Sequence, residues 1–230
     1  MLKTISTNDV LFQRVSWGLF LLIFTYLLLR AFFLAPLHDE TATFFHFIET
    51  NKIIGKDVIQ DANNHLLNSF LGRLMYQFAG PHFFALRVPT VLAFALYFWG
   101  IYEMVKSMQV RLVKFLVFLA LVTVAYVNDY FAYTRGYGLG MAFFSWILVY
   151  CFRWIRDPNW KNLILLYVCC WLAIFANLTF LLSACISIGI ALLIYLYHFT
   201  QWNWKKHFTF LLVHLLFLLA LLPFLYFSYV

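Results

Sequence analysis

The stretch Val15–Leu34, VSWGLFLLIFTYLLLRAFFL, decides the fold class of this chain. A helix needs about 20 mostly apolar residues to cross a bilayer, and this run supplies them with Arg30 as its one charge. A secretory signal peptide is the alternative, because Lys3 and Arg14 precede the apolar run. However, the run is long for a signal core, and Pro36 lies where cleavage would be expected. We therefore interpret this segment as a first transmembrane helix.

The composition extends that interpretation to the whole chain. Of its 230 residues, 65% are hydrophobic, 22% are aromatic and 11% are charged. Soluble domains carry about 25% charged residues, so a soluble enzyme, a disordered chain and a nucleic-acid-binding module are excluded. The four cysteines lie in apolar runs and are predicted to be buried free thiols. They are Cys151, Cys169, Cys170 and Cys185.

Further apolar runs predict an all-α, polytopic transmembrane helix bundle that forms a single domain over residues 1–230. About seven spans are expected, and the pair of spans around Asn177 has almost nothing polar between them. The predicted spans are Val15–Leu34, Phe83–Met104, Val113–Phe131, Tyr137–Phe152, Leu163–Ala176, Leu178–Phe199 and Phe208–Tyr229.

The basic residues predict the orientation of the bundle. With the N-terminus in the cytoplasm, ten Lys and Arg residues lie inside and six lie outside, and every short inner loop is basic. The net charge of +7 is then explained by this positive-inside bias, so no nucleic-acid partner is expected. We expect a multi-pass protein in contact with membrane lipids, in the plasma (inner) membrane if the source is bacterial.

The extracytoplasmic loop, residues 36–82, is the one sizeable polar segment, and we predict two interfacial helices in it. The first runs over about Glu40–Asn51, with Asp39 as its N-cap. The second runs over about His65–Phe78, where apolar residues recur at helical spacing, and Gly80-Pro81 ends it. Because apolar residues cover one face of the second helix, we expect it to lie in the membrane interface.

Two adjacent carboxylates, Asp39 and Glu40, follow the first span directly. Charges at a membrane face are costly unless they are solvated, paired or used, so a functional role is one interpretation. The other is a helix N-terminus whose acids complement the helix dipole. Asp129 and Arg135 flank a later outer turn and form either a solvated ion pair or a site for an anionic head group. Arg87, at the start of the second span, is a further cation at this face, or an anchor for its helix.

Taken in order, these motifs resemble the GT-C superfamily of membrane glycosyltransferases, which use polyprenyl-phosphate-linked sugars. The most similar branch is the protein O-mannosyltransferase and lipid A aminoarabinose transferase group, and the resemblance covers about Leu19–Tyr150. Each motif is weak alone, but their order and topology are fairly specific. The motifs are Asp39-Glu40, Asn64-His65-Leu66-Leu67, Gly80, Ala85-Leu86-Arg87-Val88-Pro89 and Tyr133-Thr134-Arg135-Gly136-Tyr137.

The resemblance implies a role for each candidate residue. Asp39 is expected to act at the acceptor, with Glu40 beside it, and Arg135 and Tyr137 are expected near the lipid phosphate, with help from Arg87. A divalent metal is compatible with the two acids, although no ligand spacing points to one and no metal ligand is assigned. Residues expected to contact substrate are His65, Asn64 and Asp129.

The expected activity is inverting transfer of a sugar from a polyprenyl-phosphate donor to a hydroxyl group of a lipid, glycan or protein acceptor on the outer face. Members of the family usually have more spans and a soluble C-terminal part, so we expect a partner subunit or a further C-terminal part. The main alternative is a non-catalytic membrane subunit or scaffold with the same fold. A transporter is a third possibility, but no inverted repeat is visible in the sequence.

Overall fold

The computed structural model describes residues 7–54, 64–201 and 203–229, and these residues contain helices but no strand. Long apolar helices alternate with short connections, as the composition predicts. Short 3₁₀ turns precede and follow α9. The helices are α1 Thr7–Phe33, α2 His38–Thr43, α3 Leu66–Ala79, α4 Phe83–Val105, α5 Arg111–Val122, α6 Ala125–Asp129, α7 Gly136–Arg156, α8 Trp160–Ala176, α9 Leu181–Tyr197 and α10 Trp204–Tyr229.

Aromatic and polar contacts set the directions of the central helices. The ring of Phe12, near the start of α1, stacks on Tyr102, near the end of α4, with centroids 5.6 Å apart, so these two helices are antiparallel. The side chain of Glu103, also near the end of α4, accepts a bond of 2.6 Å from Arg153, near the end of α7. Helices α4 and α7 are therefore parallel, and their first residues lie at the same end of the bundle.

Five helices of the described chain are long and apolar enough to cross a membrane. In three of them, only 22% of the most apolar 18-residue window is buried in the protein. Leu22 and Leu182, for example, are 69% and 70% exposed. Exposed apolar surface of this extent is typical of contact with lipid, so the fold is consistent with a membrane protein. These helices are Val10–Phe33, Phe83–Val105, Gly136–Arg156, Leu178–Tyr197 and Trp204–Leu222.

The third predicted span, Val113–Phe131, is not one continuous helix. Helix α5 ends at Val122 and the short helix α6 begins at Ala125. The amide of Asn128 folds back and donates a bond of 3.1 Å to the carbonyl oxygen of Val122, which a continuous helix would have bonded internally. Hydropathy measures only how apolar the residues are, so it does not detect a side chain that bonds a backbone carbonyl in place of the helix. It therefore predicted an unbroken span.

The two predicted spans that meet at Asn177 are separate helices, as the sequence indicates. Helix α8 ends at Ala176, and the carboxamide of Asn177 accepts the backbone N–H of Thr179 at 3.0 Å to begin the next turn. Helix α8 has 17 residues, which is short for a span. The total of seven spans therefore stays a prediction.

The first helix of the outer loop differs from its predicted form. It begins at His38 with Leu37 as the N-cap, so the prediction that Asp39 is the N-cap is wrong. After Thr43 the backbone widens into a π-helical turn over Phe44–Ile48. The sequence also predicts a turn through Gly55 between the two loop helices, and Gly55 lies outside the described residues.

The second loop helix, α3, lies close to its predicted position. Gly80 adopts φ 71°, a left-handed conformation that glycine tolerates, and ends the helix as expected. The polar residues Asn68 and Ser69 are buried against the protein, whereas Phe70 and Phe78 are 54% and 83% exposed. Leu67 and Leu71 of the apolar stripe pack against the hydrophobic core, so only part of the stripe faces outward. The location of α3 in the membrane interface stays a prediction.

Three of the cysteines are buried free thiols, as predicted, but Cys185 is exposed on α9. Because α9 presents much of its surface outward, an apolar run of sequence does not by itself place every thiol in the protein interior.

Candidate functional site

Glu40 joins three parts of the chain at the end of the bundle that adjoins the loop of residues 36–82. We call this the outer-loop end. Its side chain is fully buried, and its two oxygens accept bonds from two nitrogens of Arg87, at 2.9 and 2.5 Å. They also accept the backbone N–H of Thr134 at 2.7 Å and that of Leu37 at 3.0 Å. A carboxylate offers about four acceptor positions, so Glu40 is saturated. Glu40 therefore has a structural role and no position left for a substrate, and the expectation that it supports Asp39 from the neighbouring position stays a prediction.

Arg87 is equally committed to the protein interior. It is 1% exposed, and besides Glu40 it bonds the carbonyl oxygens of Ala31, Leu34 and Ala35 at 2.9, 2.8 and 3.3 Å. A guanidinium has five N–H donors, and these contacts use all five. The carbonyls lie at the end of α1, where backbone groups lack helical partners. Arg87 thus closes the end of α1, which is incompatible with its predicted role in binding a donor phosphate.

The bond between Glu40 and the backbone of Thr134 brings the neighbours of both residues together. Asp39 precedes Glu40 and Arg135 follows Thr134, and the Oδ2 atom of Asp39 lies 2.7 Å from Nη2 of Arg135. Both side chains are partly exposed, at 35% and 22%. The Nε atom of Arg135 is buried and has no hydrogen-bond partner among the described residues. Arg135 therefore retains one N–H donor that no described residue uses.

A third ion pair lies at the same end of the bundle. Nη2 of Arg30, in the last turn of α1, is 3.0 Å from Oδ1 of Asp129. The hydroxyl of Tyr26 accepts a further bond from Arg30 at 3.1 Å. The ion pair suggested between Asp129 and Arg135 by their spacing in the sequence is thus not the one that forms. Each of these two residues pairs instead with a charge at or just beyond the end of α1.

Aromatic rings surround Arg135. Its guanidinium lies over the ring of Tyr137, 5.1 Å from the centroid, and Tyr137 in turn lies 4.9 Å from the ring of Tyr130. The Tyr130 hydroxyl donates to the Tyr126 hydroxyl at 2.6 Å. Tyr130 therefore adds a polar group to the aromatic rings beside the Arg135 cation.

His65 packs against Tyr137, since it is 8% exposed and its ring lies 5.4 Å from that of Tyr137. Asn64 is used within the loop: its amide donates to the carbonyl oxygen of Ile53 at 3.0 Å, and its oxygen accepts from Ser69 at 3.3 Å. His65 is thus beside the charged pair, while both ends of the Asn64 side chain hold the loop and α3 together.

Gly136 lets three elements meet beside Arg135. A Cβ atom built on Gly136 would overlap the carbonyl oxygen of Ala176 and lie 2.7 Å from the Cβ of His65. The start of α7 therefore touches both the end of α8 and the start of α3. Only glycine permits this close approach, which sets where the side chains of Arg135 and Tyr137 stand.

No three His, Cys, Asp or Glu side chains gather into a possible metal-ligand group within the described ranges. The nearest approach of this type at the site is His38 Nδ1 to Asp39 Oδ1, at 3.6 Å, with the His38 side chain 93% exposed.

Sequence reasoning missed two contributors to this site. Arg30 was counted only as an outer basic residue, although a charge at the end of an apolar span is itself a functional signal. Thr134 contributes through its backbone N–H, which no sequence pattern identifies.

No family model, curated protein or solved structure matches this chain. Its function must therefore be inferred from the side chains at the outer-loop end of the bundle.

Proposed function

We propose that this protein is a membrane glycosyltransferase that moves a sugar from a polyprenyl-phosphate donor to a hydroxyl-bearing acceptor on the outer face. The observation that carries the proposal is the pair of Asp39 and Arg135, in which a partly exposed acid touches a guanidinium that retains an unused donor. Such a pair offers a base and an anion-binding group within one substrate's reach.

The proposed topology has seven crossings with the N-terminus in the cytoplasm, the third crossing being the broken pair α5 and α6. The contact between Arg30 and Asp129 supports it. That contact sets the end of α6 beside the end of α1, whereas five residues separate the end of α4 from the start of α5, at the opposite end. The site then faces the outside, where the positive-inside pattern puts the loop of residues 36–82.

Arg135 binds the donor phosphate in this proposal. Its Nε–H and the ring of Tyr137 are already in place, and a phosphate oxygen that approaches Nε also competes with Asp39 for the guanidinium. Exposed apolar side chains near the end of α1, such as Phe33 at 76% exposure, provide a surface for the polyprenyl chain. Donor binding therefore loosens the ion pair and frees the carboxylate.

Asp39 then acts as the general base. The acceptor hydroxyl oxygen attacks the anomeric carbon, the bond from that carbon to the phosphate oxygen breaks, and its electron pair leaves with the phosphate. The hydroxyl proton passes to Asp39, and Arg135 stabilises the charge on the departing phosphate. A single displacement of this kind inverts the configuration at the anomeric carbon.

The first prediction concerns Asp39→Asn and Arg135→Ala. Asp39→Asn keeps the side-chain shape and removes the base, so donor binding should persist while turnover falls by about 10²–10⁴-fold. Arg135→Ala should weaken donor binding itself by roughly one to two orders of magnitude, because a charge-assisted contact is lost. Arg135→Lys should restore binding only in part, since Lys lacks the planar fork. Donor binding and transfer are measured on the same purified variants with a panel of polyprenyl-phosphate-linked sugars.

Asp157→Asn is the matched control, because it makes the same substitution at an exposed acid beyond the far end of α7. It should leave both binding and transfer unchanged. Normal transfer by Asp39→Asn would exclude Asp39 as the base, and donor binding by Arg135→Ala at the wild-type level would exclude the phosphate role.

A non-catalytic scaffold is the second candidate, and one observation favours it. The Arg30–Asp129 pair has similar geometry and exposure to the Asp39–Arg135 pair, so both could serve only to hold loops together. The charge-swapped double variant Asp39→Arg with Arg135→Asp distinguishes a scaffold from a transferase. A scaffold keeps its stability because an ion pair can form again, and its function survives. A transferase stays inactive because the base and the cation have exchanged places.

A further inference from the structure

A second site lies at the opposite end of α4 and α7. A cavity of about 370 Å³ opens there between the last turns of the two helices. It is separated from Asp39 and Arg135 by the length of α7, which is about 30 Å at 1.5 Å per residue. Its lining includes Glu103, Lys106, Arg153 and Arg156, together with apolar side chains such as Met104 and Phe152.

The charges in this cavity are arranged around one buried acid. The Glu103 side chain is 9% exposed, and one of its oxygens accepts a bond of 2.6 Å from Nη2 of Arg153. Its other oxygen accepts a bond from Nζ of Lys106. Glu103 thus holds both cations at the cavity wall, while their own side chains remain 43% and 48% exposed.

The cavity carries a surplus of positive charge. Three cations line it against the single carboxylate of Glu103, and that carboxylate is already bonded through both oxygens. Arg156 is exposed, and the structure gives it no acidic partner among the residues it describes. An alternative explanation of these cations is that basic side chains in the last turn of a helix complement its dipole. That effect does not account for a concave, partly apolar cavity.

Apolar surface borders the charged wall. Phe152 is 51% exposed and Met104 is partly exposed, so the same cavity offers contacts to a phosphate and to the hydrocarbon next to it. Its volume is in the range of pockets that bury most of a small organic ligand. Basic pockets between transmembrane helices are known to hold anionic lipid head groups.

We propose that this cavity binds the phosphate head group of an anionic membrane phospholipid. Lys106, Arg153 and Arg156 contact the phosphate, and the apolar border contacts the start of the acyl chains. The site is independent of the proposed transferase reaction, since it shares no residue with the Asp39–Arg135 pair. It would tie the lipid composition of the inner leaflet to the packing of α4 against α7.

The test compares two lipids with identical acyl chains, phosphatidylglycerol and phosphatidylcholine, binding to the purified full chain in detergent, measured by native mass spectrometry. The wild type should retain phosphatidylglycerol at least tenfold more strongly than phosphatidylcholine. Arg156→Gln should weaken phosphatidylglycerol binding by about tenfold or more, the usual effect of losing one charge-assisted contact. This variant breaks no bond that the structure describes, so it should fold normally.

Lys161→Gln is the control, because Lys161 is an exposed cation near the start of α8 that does not line the cavity. If it lowers phosphatidylglycerol binding as much as Arg156→Gln does, the attraction is diffuse and the site is refuted. Equal retention of both lipids by the wild type refutes it without any variant. Inorganic phosphate that binds as tightly as phosphatidylglycerol, and with the same sensitivity to Arg156→Gln, would identify a free-phosphate site and overturn the lipid assignment.

Discussion

At the scale of single residues, two neighbouring carboxylates have opposite roles. Glu40 is buried and saturated by four hydrogen bonds, while Asp39 is partly exposed and makes its one short contact with Arg135. The sequence places both acids correctly after the first span but does not distinguish them. The difference arises because Glu40 points at Arg87 and Asp39 does not. Which of the two acids is buried thus depends on Arg87, which lies 47 positions away from Glu40 in the sequence.

The second prediction follows from the buried pair. Arg87→Ala leaves Glu40 buried without its counter-ion, so it should lower the free energy of unfolding by about 3–5 kcal/mol. Arg14→Ala, at an exposed position near the start of α1, should change it by less than about 0.5 kcal/mol. The measurement is reversible unfolding in mixed micelles. Equal unfolding midpoints for the two variants would mean that the pair does not hold the end of α1.

At the scale of elements, the start of α7 is the most constrained part of the site. It carries Arg135 as its N-cap and Tyr137 in its first turn, and it touches both α8 and α3 through Gly136. Helix packing here is close enough to exclude a methyl group. Small changes in this contact therefore move both side chains that the proposed donor site requires.

The third prediction is that Gly136→Ala destabilises the protein by about 1–3 kcal/mol, because its Cβ would overlap the backbone of α8. Transfer activity should fall with it, since Arg135 and Tyr137 are displaced. Gly189→Ala is the control: a Cβ at Gly189, within α9, meets nothing within 4 Å. Replacing a helical glycine where there is space should be neutral or stabilising by up to about 1 kcal/mol. Unfolding midpoints of both variants test this, and a neutral Gly136→Ala would show that the close approach is not required.

At the scale of the whole molecule, the two charged clusters lie at opposite ends of the bundle. The outer-loop end carries three acid–guanidinium pairs, and the other end carries the basic cavity around Glu103. Helices α4 and α7 are parallel, and each has one end at the first cluster and the other end at the second. The two clusters are therefore separated by the length of these helices. The proposed orientation puts the basic cavity in the cytoplasm, where anionic lipids would meet it.

The fourth prediction concerns that orientation. A cysteine at Lys52, exposed in the outer loop, should react with a membrane-impermeant maleimide in intact cells. A cysteine at Gln109, exposed between α4 and α5, should react only after permeabilisation. Cys185 is replaced by Ser in both variants because it is the exposed native thiol in the described chain. Labelling at Lys52 only after permeabilisation would invert the topology and remove the proposed site from the outer face.

The sequence by itself determined the helical class, the apolar segments, the break at Asn177 and the end of α3 at Gly80, because hydropathy, capping and backbone freedom act over a few residues. Only the tertiary structure decided which charges pair. Asp129 joins Arg30, and Asp39 joins Arg135. The physical reason is distance along the chain. Desolvation of Glu40 and the bond from Thr134 to it, 94 positions away, exist only once the helices have packed.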